Sequence, residues 1–457
     1  MQETATIGLS YVILDREHFG CIGYKPPSQG TGNATERERN KMSDVFSLLT
    51  SRGYIYQCTH IEKIAGLLNA QEKITFYLGI DPTADSLHIG HFFALMMFRY
   101  LQDAGHRGIL IIGGATALVG DPSARSDMRK MLTKDQVQHN FEEVKALAAR
   151  FIRTDGENPA MILNNADWIN TYSYVDFMRL VGIHFNINTM LAADAYANRL
   201  KEGGLTFLEM GYMLMQAFDF VHLHDTYGCI LQIGGSDQWG NIVAGTSLSR
   251  KMRFTEGTTP AGGEESELIG LTCPLLLTKD GAKMGKTASG TLWVARDKTT
   301  PYDFYQYFYN VDDSDVEMLL KLFTHVSLEE INRLCSTDII EAKRVMAYEI
   351  TKLVHGDTEA EKVLESVKSL FSDDSSGENA PESEYIVEAQ EINVVDLFFY
   401  AGFVSSKSEM RRLIQQNGAS VDGVRCMSLE DIISKPAGRD YVLLKKGKKS
   451  FLKVKFQ

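Results

Sequence analysis

Ile74-Thr75-Phe76-Tyr77-Leu78-Gly79-Ile80, then Asp81-Pro82-Thr83-Ala84-Asp85-Ser86, then His88-Ile89-Gly90-His91, is the stretch on which the fold turns. Its first seven residues are rich in apolar, β-branched and aromatic side chains and read as a buried strand. The next six read as a turn. From Gly90 to Asp103 the chain is apolar nearly all round, which predicts a covered helix, and Gly105 supplies its stop. Residues 109–112 form the next strand. This is a βαβ unit with two histidines at the helix N-terminus, where backbone N–H groups and the helix dipole favour a phosphate. Gly90 has no Cβ, so a flat base or ribose can approach the backbone, while imidazole N–H groups on either side can donate to phosphate oxygens. Zinc is the competing reading of paired histidines; it needs further ligands, and none is spaced nearby.

Working outward, strand-like runs at residues 161–163 and 229–233 alternate with helical stretches up to about residue 270. Such alternation predicts a doubly wound parallel sheet, an α/β fold of Rossmann-like class. After Gly290 the character becomes helical. Ser314-Asp315-Val316-Glu317 and Ser327-Leu328-Glu329-Glu330 read as capping boxes, and Val316, Leu319, Leu320 and Phe323 keep helical spacing. Residues 372–384 carry five acids and no base, with almost nothing to bury, and read as a linker. The chain therefore divides into an arm at 1–41, an α/β domain at 42–290, a helical domain at 291–371, an acidic linker at 372–390 and a small α+β domain at 391–457.

At 457 residues there is ample material for a large core. The net charge of −12 argues against a chain coated for nucleic acid, yet it hides a local patch. Residues 405–457 hold 12 Lys plus Arg against 5 Asp plus Glu, so the rest of the chain carries −19. Six scattered cysteines form no metal knuckle or redox motif, which fits reduced thiols and a reducing compartment. No run reaches membrane-spanning length, and no basic segment precedes the apolar residues 7–14, so the expected location is the cytoplasm. The arm at 1–41 mixes charge signs without periodicity, and its acids argue against an organellar transit peptide.

Three motifs carry a family resemblance. The stretch from Tyr77 to His91 resembles the "HIGH" segment of class I aminoacyl-tRNA synthetases, in its tyrosyl, bacterial version. Leu231-Gln232-Ile233-Gly234-Gly235-Ser236-Asp237-Gln238-Trp239-Gly240-Asn241 resembles that family's ribose and substrate strand, and Lys283-Met284-Gly285-Lys286-Thr287 is similar to its mobile "KMSKS" loop. The resemblance runs from about Met42, itself a candidate start, to the C-terminus. Residues 393–422 resemble the small RNA-binding fold named after ribosomal small-subunit protein four.

The resemblance implies tyrosine–tRNA ligation: tyrosine's carboxylate attacks the α-phosphorus of ATP, pyrophosphate leaves, and the tyrosyl group passes to the 3′ end of tRNA. The nucleophile is already ionised at pH 7, so alignment and charge stabilisation suffice and no general base is needed. By resemblance His88 and His91 contact the ATP phosphates with Thr83 nearby, and Lys283, Lys286, Arg125 and Arg129 reach the pyrophosphate. Lysine is commoner than arginine at the place of Arg125, and Gly285 and Thr287 replace the serines of the commonest loop. Gly79, Asp81, Gly90, Gly235 and Asp237 would hold the nucleotide. Asp121, Tyr212 and Gln216 would grip the ammonium group, Gln238 the carboxylate, and Tyr77 and Asp219 a phenolic hydroxyl. Tyr212, Gln216 and Asp219 fall at i, i+4 and i+7, one helical face. Lys407, Arg411 and Arg412 would contact RNA. The family further implies a homodimer formed through an insertion in the catalytic domain, Mg2+ with the ATP, and no structural metal.

Three rivals remain. A tryptophan-specific relative would not need the Tyr77 and Asp219 pair. A nucleotidyltransferase shares the two-histidine motif but lacks the lysine loop and the RNA-binding tail. A catalytically silent RNA-binding protein would have no reason to keep every position above chemically competent.

Overall fold

The structure, a computed structural model, describes residues 12–13, 44–123, 131–202, 204–257, 267–278, 281, 283–287, 290–371, 382–447 and 450–457. It divides into two compact units. The first comprises residues up to 286 with 291–298 and 312–342; the second comprises 287–290, 299–311 and 343–457.

The first unit is built on a seven-stranded sheet of β1 (Val12–Ile13), β2 (Gln57–Cys58), β3 (Thr75–Ile80), β4 (Arg107–Ile112), β5 (Met161–Asn164), β6 (Cys229–Gly235) and β7 (Ile269–Cys273). Their order across the sheet is β1-β2-β7-β6-β3-β4-β5. The five from β7 to β5 run parallel, and β2 and β1 add antiparallel at the edge. The expected doubly wound sheet is present. At the edge, Val12 pairs with Cys58 and Ile13 with Gln57, so two β-branched residues of the expected arm form a strand.

Helix α1 (Ile89–Asp103) follows β3 and buries Phe92, Phe93, Leu95, Met96, Met97, Phe98 and Leu101, which explains the lack of a polar face in its sequence. Even Gln102 is buried, donating to the carbonyls of Arg153 and Asn158. Helix α2 (Phe207–Tyr227) starts at a capping box between Thr206 and Glu209 and ends at Gly228 in the left-handed conformation. Glu209 also pairs with buried Arg199 at 3.1 Å, tying the start of α2 to the helix Asp194–Glu202. Helix α3 (Trp239–Glu256) follows β6.

One capping expectation is corrected. Ser327 caps its helix by accepting from the Glu330 N–H, but Ser314 lies inside a short 3-10 turn capped by Asp312, and the helix Val316–Phe323 begins without a side-chain cap. Asp312 wins because its carboxylate reaches both the N–H and the hydroxyl of Ser314. The end of that helix is instead served by buried Arg52, which donates to the carbonyls of Lys321, Thr324 and Val326.

Short strands β8 (Lys286–Thr287) and β9 (Gly290–Thr291) pair with each other. The second unit contains the helices Pro301–Tyr309 and Asp357–Phe371 and most of Ile339–His355. It then folds a small α/β domain from β10 (Glu382–Val387), β11 (Glu391–Asn393), β12 (Ala419–Val421), β13 (Val424–Arg425), β14 (Ile432–Ser434), β15 (Tyr441–Lys446) and β16 (Ser450–Phe456). Two expected boundaries fall elsewhere: residues 312–342 group with the sheet unit, and the end of the expected linker forms β10, which pairs parallel with β16. Tyr385, Ile386 and Val387 supply the strand propensity that the acids around them mask. Among the described residues no helix is long and apolar enough to cross a membrane.

Candidate active site

His88 is the N-cap of α1, and its side chain does the capping: Nδ1 accepts from the N–H of Gly90 at 3.1 Å and of His91 at 3.3 Å. His91 reciprocates, its Nδ1 accepting from the His88 N–H at 3.4 Å, and the two rings stack 3.7 Å apart. With both Nδ1 atoms accepting, the N–H of each neutral ring is the one at Nε2. The expectation that the backbone N–H groups here await a phosphate is corrected: the Gly90 and His91 groups are already bonded to imidazole. Gly90 also has a reason not read from the sequence, since a Cβ there would meet the His88 ring at 3.0 Å.

Beside the histidines a cavity of about 680 Å3 opens at the ends of β3 and β6. The chain crosses from one side of β3 to the other at this point, the switch where ligands bind in open parallel sheets. Its lining includes His88, Gly90, His91, Thr83, Gly79, Asp81, Gly235 and Asp237, together with Tyr77, Asp121, Tyr212, Gln216, Asp219, Gln238 and Lys283. The i, i+4, i+7 face of α2 thus meets the β3 signature in one space.

Part of the wall is a buried polar nest. Tyr77 is 1 % exposed and its hydroxyl has no hydrogen-bond partner among the described residues; the Phe220 ring sits edge-on to it at 5.2 Å. Asp219 is gripped at both oxygens, by Trp168 Nε1 at 2.7 Å and Asn165 Nδ2 at 3.0 Å. Burial nevertheless pushes its carboxyl up to about 7, against those two donors. Burial, and then the Asp219 charge, raises the Tyr77 phenol as well.

Elsewhere in the wall, Tyr212 and Thr116 donate their hydroxyls to the two oxygens of Asp81, at 2.8 and 2.7 Å. Gln238 Nε2 donates to Asp121 at 2.7 Å, and the other Asp121 oxygen accepts from the Ser123 N–H. The buried carbonyl oxygens of Gln216 and Gln232 have no partner among the described residues. Burial, then the Asp121 charge, raises the Asp237 carboxyl, and Lys283 opposes them.

The lysine loop borders the same cavity. Lys283 is exposed, Met284 is buried, and Gly285 adopts φ +86° with its missing Cβ position 2.5 Å from Ile89 Cγ2. A Cβ there would collide with the first turn of α1. Arg125 and Arg129 lie outside the described residues, as does the side chain of Lys286. Lys407, Arg411 and Arg412 belong to the second unit, on the helix Lys407–Gln415. Lys407 pairs with Asp396 at 2.5 Å, while Arg411 and Arg412 are exposed.

Sequence reading missed Asn165, Trp168, Thr116 and Gln232. Gln232 carried a signal, a polar residue within the apolar run of β6. The other three act only through chain segments brought together by the fold.

Known proteins resemble this geometry. The family described as class I tRNA synthetases (W and Y) matches residues 69–372, and the tyrosine–tRNA ligase SYY-like C-terminal domain matches residues 375–454. A tyrosine–tRNA ligase of Clostridium beijerinckii is 46% identical over 421 residues, covering 91% of this chain and all of the relative. That of Fusobacterium nucleatum is 44% identical, covering 91% and 98%. Among solved structures, the C-terminally truncated mitochondrial tyrosyl-tRNA synthetase of Aspergillus nidulans aligns with a TM-score of 0.64 at 30% identity, covering 74% of this chain and 97% of that one. The corresponding Coccidioides posadasii enzyme gives 0.60 at 30%, covering 73% and 94%. By motif, fold and these matches, the chain belongs to the class I tRNA synthetases, in their tyrosine–tRNA ligase branch.

Proposed function

We propose that the cavity holds tyrosine and ATP together and that the chain is a tyrosine–tRNA ligase with the following division of labour. Tyr77 and Asp219 meet the phenolic hydroxyl; Asp121, Tyr212 and Gln216 hold the ammonium group, and Gln238 orients the carboxylate. Gly79, Asp81, Gly90, Gly235 and Asp237 receive the nucleoside. A carboxylate oxygen of tyrosine forms a bond to the α-phosphorus while the bond to the bridging pyrophosphate oxygen breaks, and no proton moves. His88 and His91 donate to the developing negative charge, with Thr83 beside them. Lys283 and Lys286, with Arg125 and Arg129, neutralise the leaving pyrophosphate. A terminal ribose hydroxyl of tRNA then attacks the acyl carbon and releases AMP.

The observation that carries this reading is the Tyr77 hydroxyl, buried without a partner among the described residues in a cavity that it shares with Asp219. A buried donor left unmade costs about 1–3 kcal/mol, a cost that a bound phenol can relieve and a phenyl ring cannot. ATP–pyrophosphate exchange with each of the twenty amino acids tests it. Tyrosine alone supports exchange; exchange supported by tryptophan instead would move the chain to the other branch of the family.

Magnesium is proposed to enter on the nucleotide. The cavity wall near α1 presents imidazole donors and a lysine, which fit phosphate oxygens, and Mg2+ is held largely by such oxygens and water. The ion adds positive charge on the pyrophosphate. The expected division into catalytic (42–290), helical anticodon-recognition (291–371) and RNA-binding (391–457) domains is retained as a functional proposal, with Lys407, Arg411 and Arg412 on the RNA side. The insertion between β5 and α2 favours a homodimer: Tyr174, Val175, Ile183 and Ile187 are each more than half exposed. Sedimentation equilibrium should return twice 51.1 kDa. A cytoplasmic location completes the proposal.

A further inference from the structure

Residues 291–298 run from the lysine loop back along the start of α1, and their backbone is bonded to both. The N–H of Leu292 donates to the Gly285 carbonyl at 2.7 Å, and the carbonyl of the same residue accepts from the Ile89 N–H at 3.3 Å. A single residue thus joins the two signatures. Farther along, the Val294 N–H donates to the Leu87 carbonyl at 2.8 Å, so His88 and Trp293 face each other in an antiparallel bridge. The Ala295 N–H then reaches the buried Ser86 hydroxyl at 3.2 Å. Leu292 and Val294 are buried, while Trp293 between them lines the cavity, the alternation of an extended strap laid over a core.

The strap ends on an ion pair. Lys298 Nζ lies 2.9 Å from a carboxylate oxygen of Asp85, in the turn between β3 and α1. That hydrogen bond is the main influence holding the Asp85 carboxyl below its usual range, and it raises the Lys298 ammonium in turn. Both side chains are partly exposed, and such pairs add little to global stability. The turn has other holds as well: Asn140 donates to the Pro82 carbonyl at 3.0 Å, and Tyr212 and Thr116 grip Asp81. Loss of the pair therefore loosens the strap, and the loop bonded to it, more than the turn.

We propose that Asp85 and Lys298 are positioning residues for adenylate formation: their ion pair anchors the strap, and through Leu292 and Gly285 the strap sets where Lys283 stands beside the cavity. This rests on the reading that Lys283 neutralises the leaving pyrophosphate. Among the described residues that line the cavity are Thr291 and Trp293 but neither Asp85 nor Lys298, so the pair acts through the strap and not on the substrates. A misplacement of about 1 Å can cost about 100-fold in rate, so a pair that adds little to folding can still govern turnover.

The test is a charge swap in the full chain, read by tyrosine-dependent ATP–pyrophosphate exchange, by the Kd for tyrosine and by limited trypsin cleavage located by mass. K298E and D85K should each lower kcat about tenfold while the Kd for tyrosine and the melting temperature stay nearly constant. Cleavage after Lys283 should rise several-fold in both, because proteolysis samples local opening. The double variant D85K/K298E restores the attraction and should recover most of the rate and of the protection, and K298R, which keeps the charge, should stay near the unaltered protein. Single variants that exchange at the unaltered rate, or a double variant as slow as the singles, would overturn the proposal, as would slow variants whose cleavage after Lys283 is unchanged. Absence of tyrosine-dependent exchange in the unaltered protein would sink the ligase reading and this proposal with it, a result distinct from slow variants of an active enzyme.

Discussion

Tyr77 and Asp219 show how far single residues can be read. Spacing placed Asp219 on one face of α2 with Tyr212 and Gln216, and all three line the cavity with Tyr77. The clamp that orients Asp219 was not legible, because Asn165 and Trp168 lie more than fifty residues earlier and meet it only in the folded chain. Tyr77→Phe should reduce the preference for tyrosine over phenylalanine about tenfold or more, with Asp219→Asn reducing it further since charged hydrogen bonds are the stronger. The kcat/KM values for both amino acids decide it; full discrimination in both variants would reopen the pocket assignment. The Asp219 carboxyl, pushed up to about 7, also gives a sign to the pH dependence. An ionised Asp219 accepts from the phenol, so tyrosine affinity should fall as pH drops below about 7. Lys283→Ala should slow adenylate formation by about 2–4 kcal/mol of transition-state stabilisation while leaving the Kd for tyrosine nearly constant. Equal losses in both would argue against a transition-state role.

Among the elements, β3 and α1 were the most legible, because a seven-residue apolar run and an unbroken apolar helix leave few alternatives. The start of α1 was read as offering both backbone and imidazole N–H groups, and the backbone half failed because composition cannot tell that the His88 ring caps the Gly90 and His91 N–H groups. The capping signal at Ser314 failed for a similar reason: a better acceptor, Asp312, stood two residues away. The joint between the helix Ile61–Asn69 and β3 is held by fully buried His106, whose Nε2 meets the Leu68 carbonyl at 3.0 Å while Nδ1 accepts from the Ile74 N–H at 3.4 Å. A second proton would face that N–H, and burial lowers the group to about 4. Its folded pKa lies below the unfolded value of 6.5, so the unfolded chain binds more protons between the two. The stabilisation is whole above pH 6.5 and is lost as pH falls toward 4, amounting to about 2 kcal/mol by pH 5. Urea denaturation at pH 7 and pH 5 should reveal this loss, and His106→Asn should remove that share of it.

At the scale of the whole molecule, the acidic body and basic tail were visible in charge counts alone, whereas the grouping of residues 312–342 with the sheet unit was not. Helical periodicity records which face is buried but not which partner buries it. Here the partner is partly the first unit's own N-terminal helix, Val45–Arg52, through Arg52 and through Tyr54 just beyond it, whose hydroxyl meets the Leu322 carbonyl. In the proposed division of labour activation belongs to the sheet unit and tRNA binding to the basic tail, so one assay on the intact chain covers both. The most direct measurement is therefore charging: full-length protein with ATP, Mg2+, radiolabelled tyrosine and a tRNA bearing the tyrosine anticodon. The account predicts base-labile tyrosine on the tRNA, dependent on ATP, with phenylalanine and tryptophan left uncharged. Transfer of either of those amino acids in preference to tyrosine, or no ATP-dependent esterification at all, would contradict it.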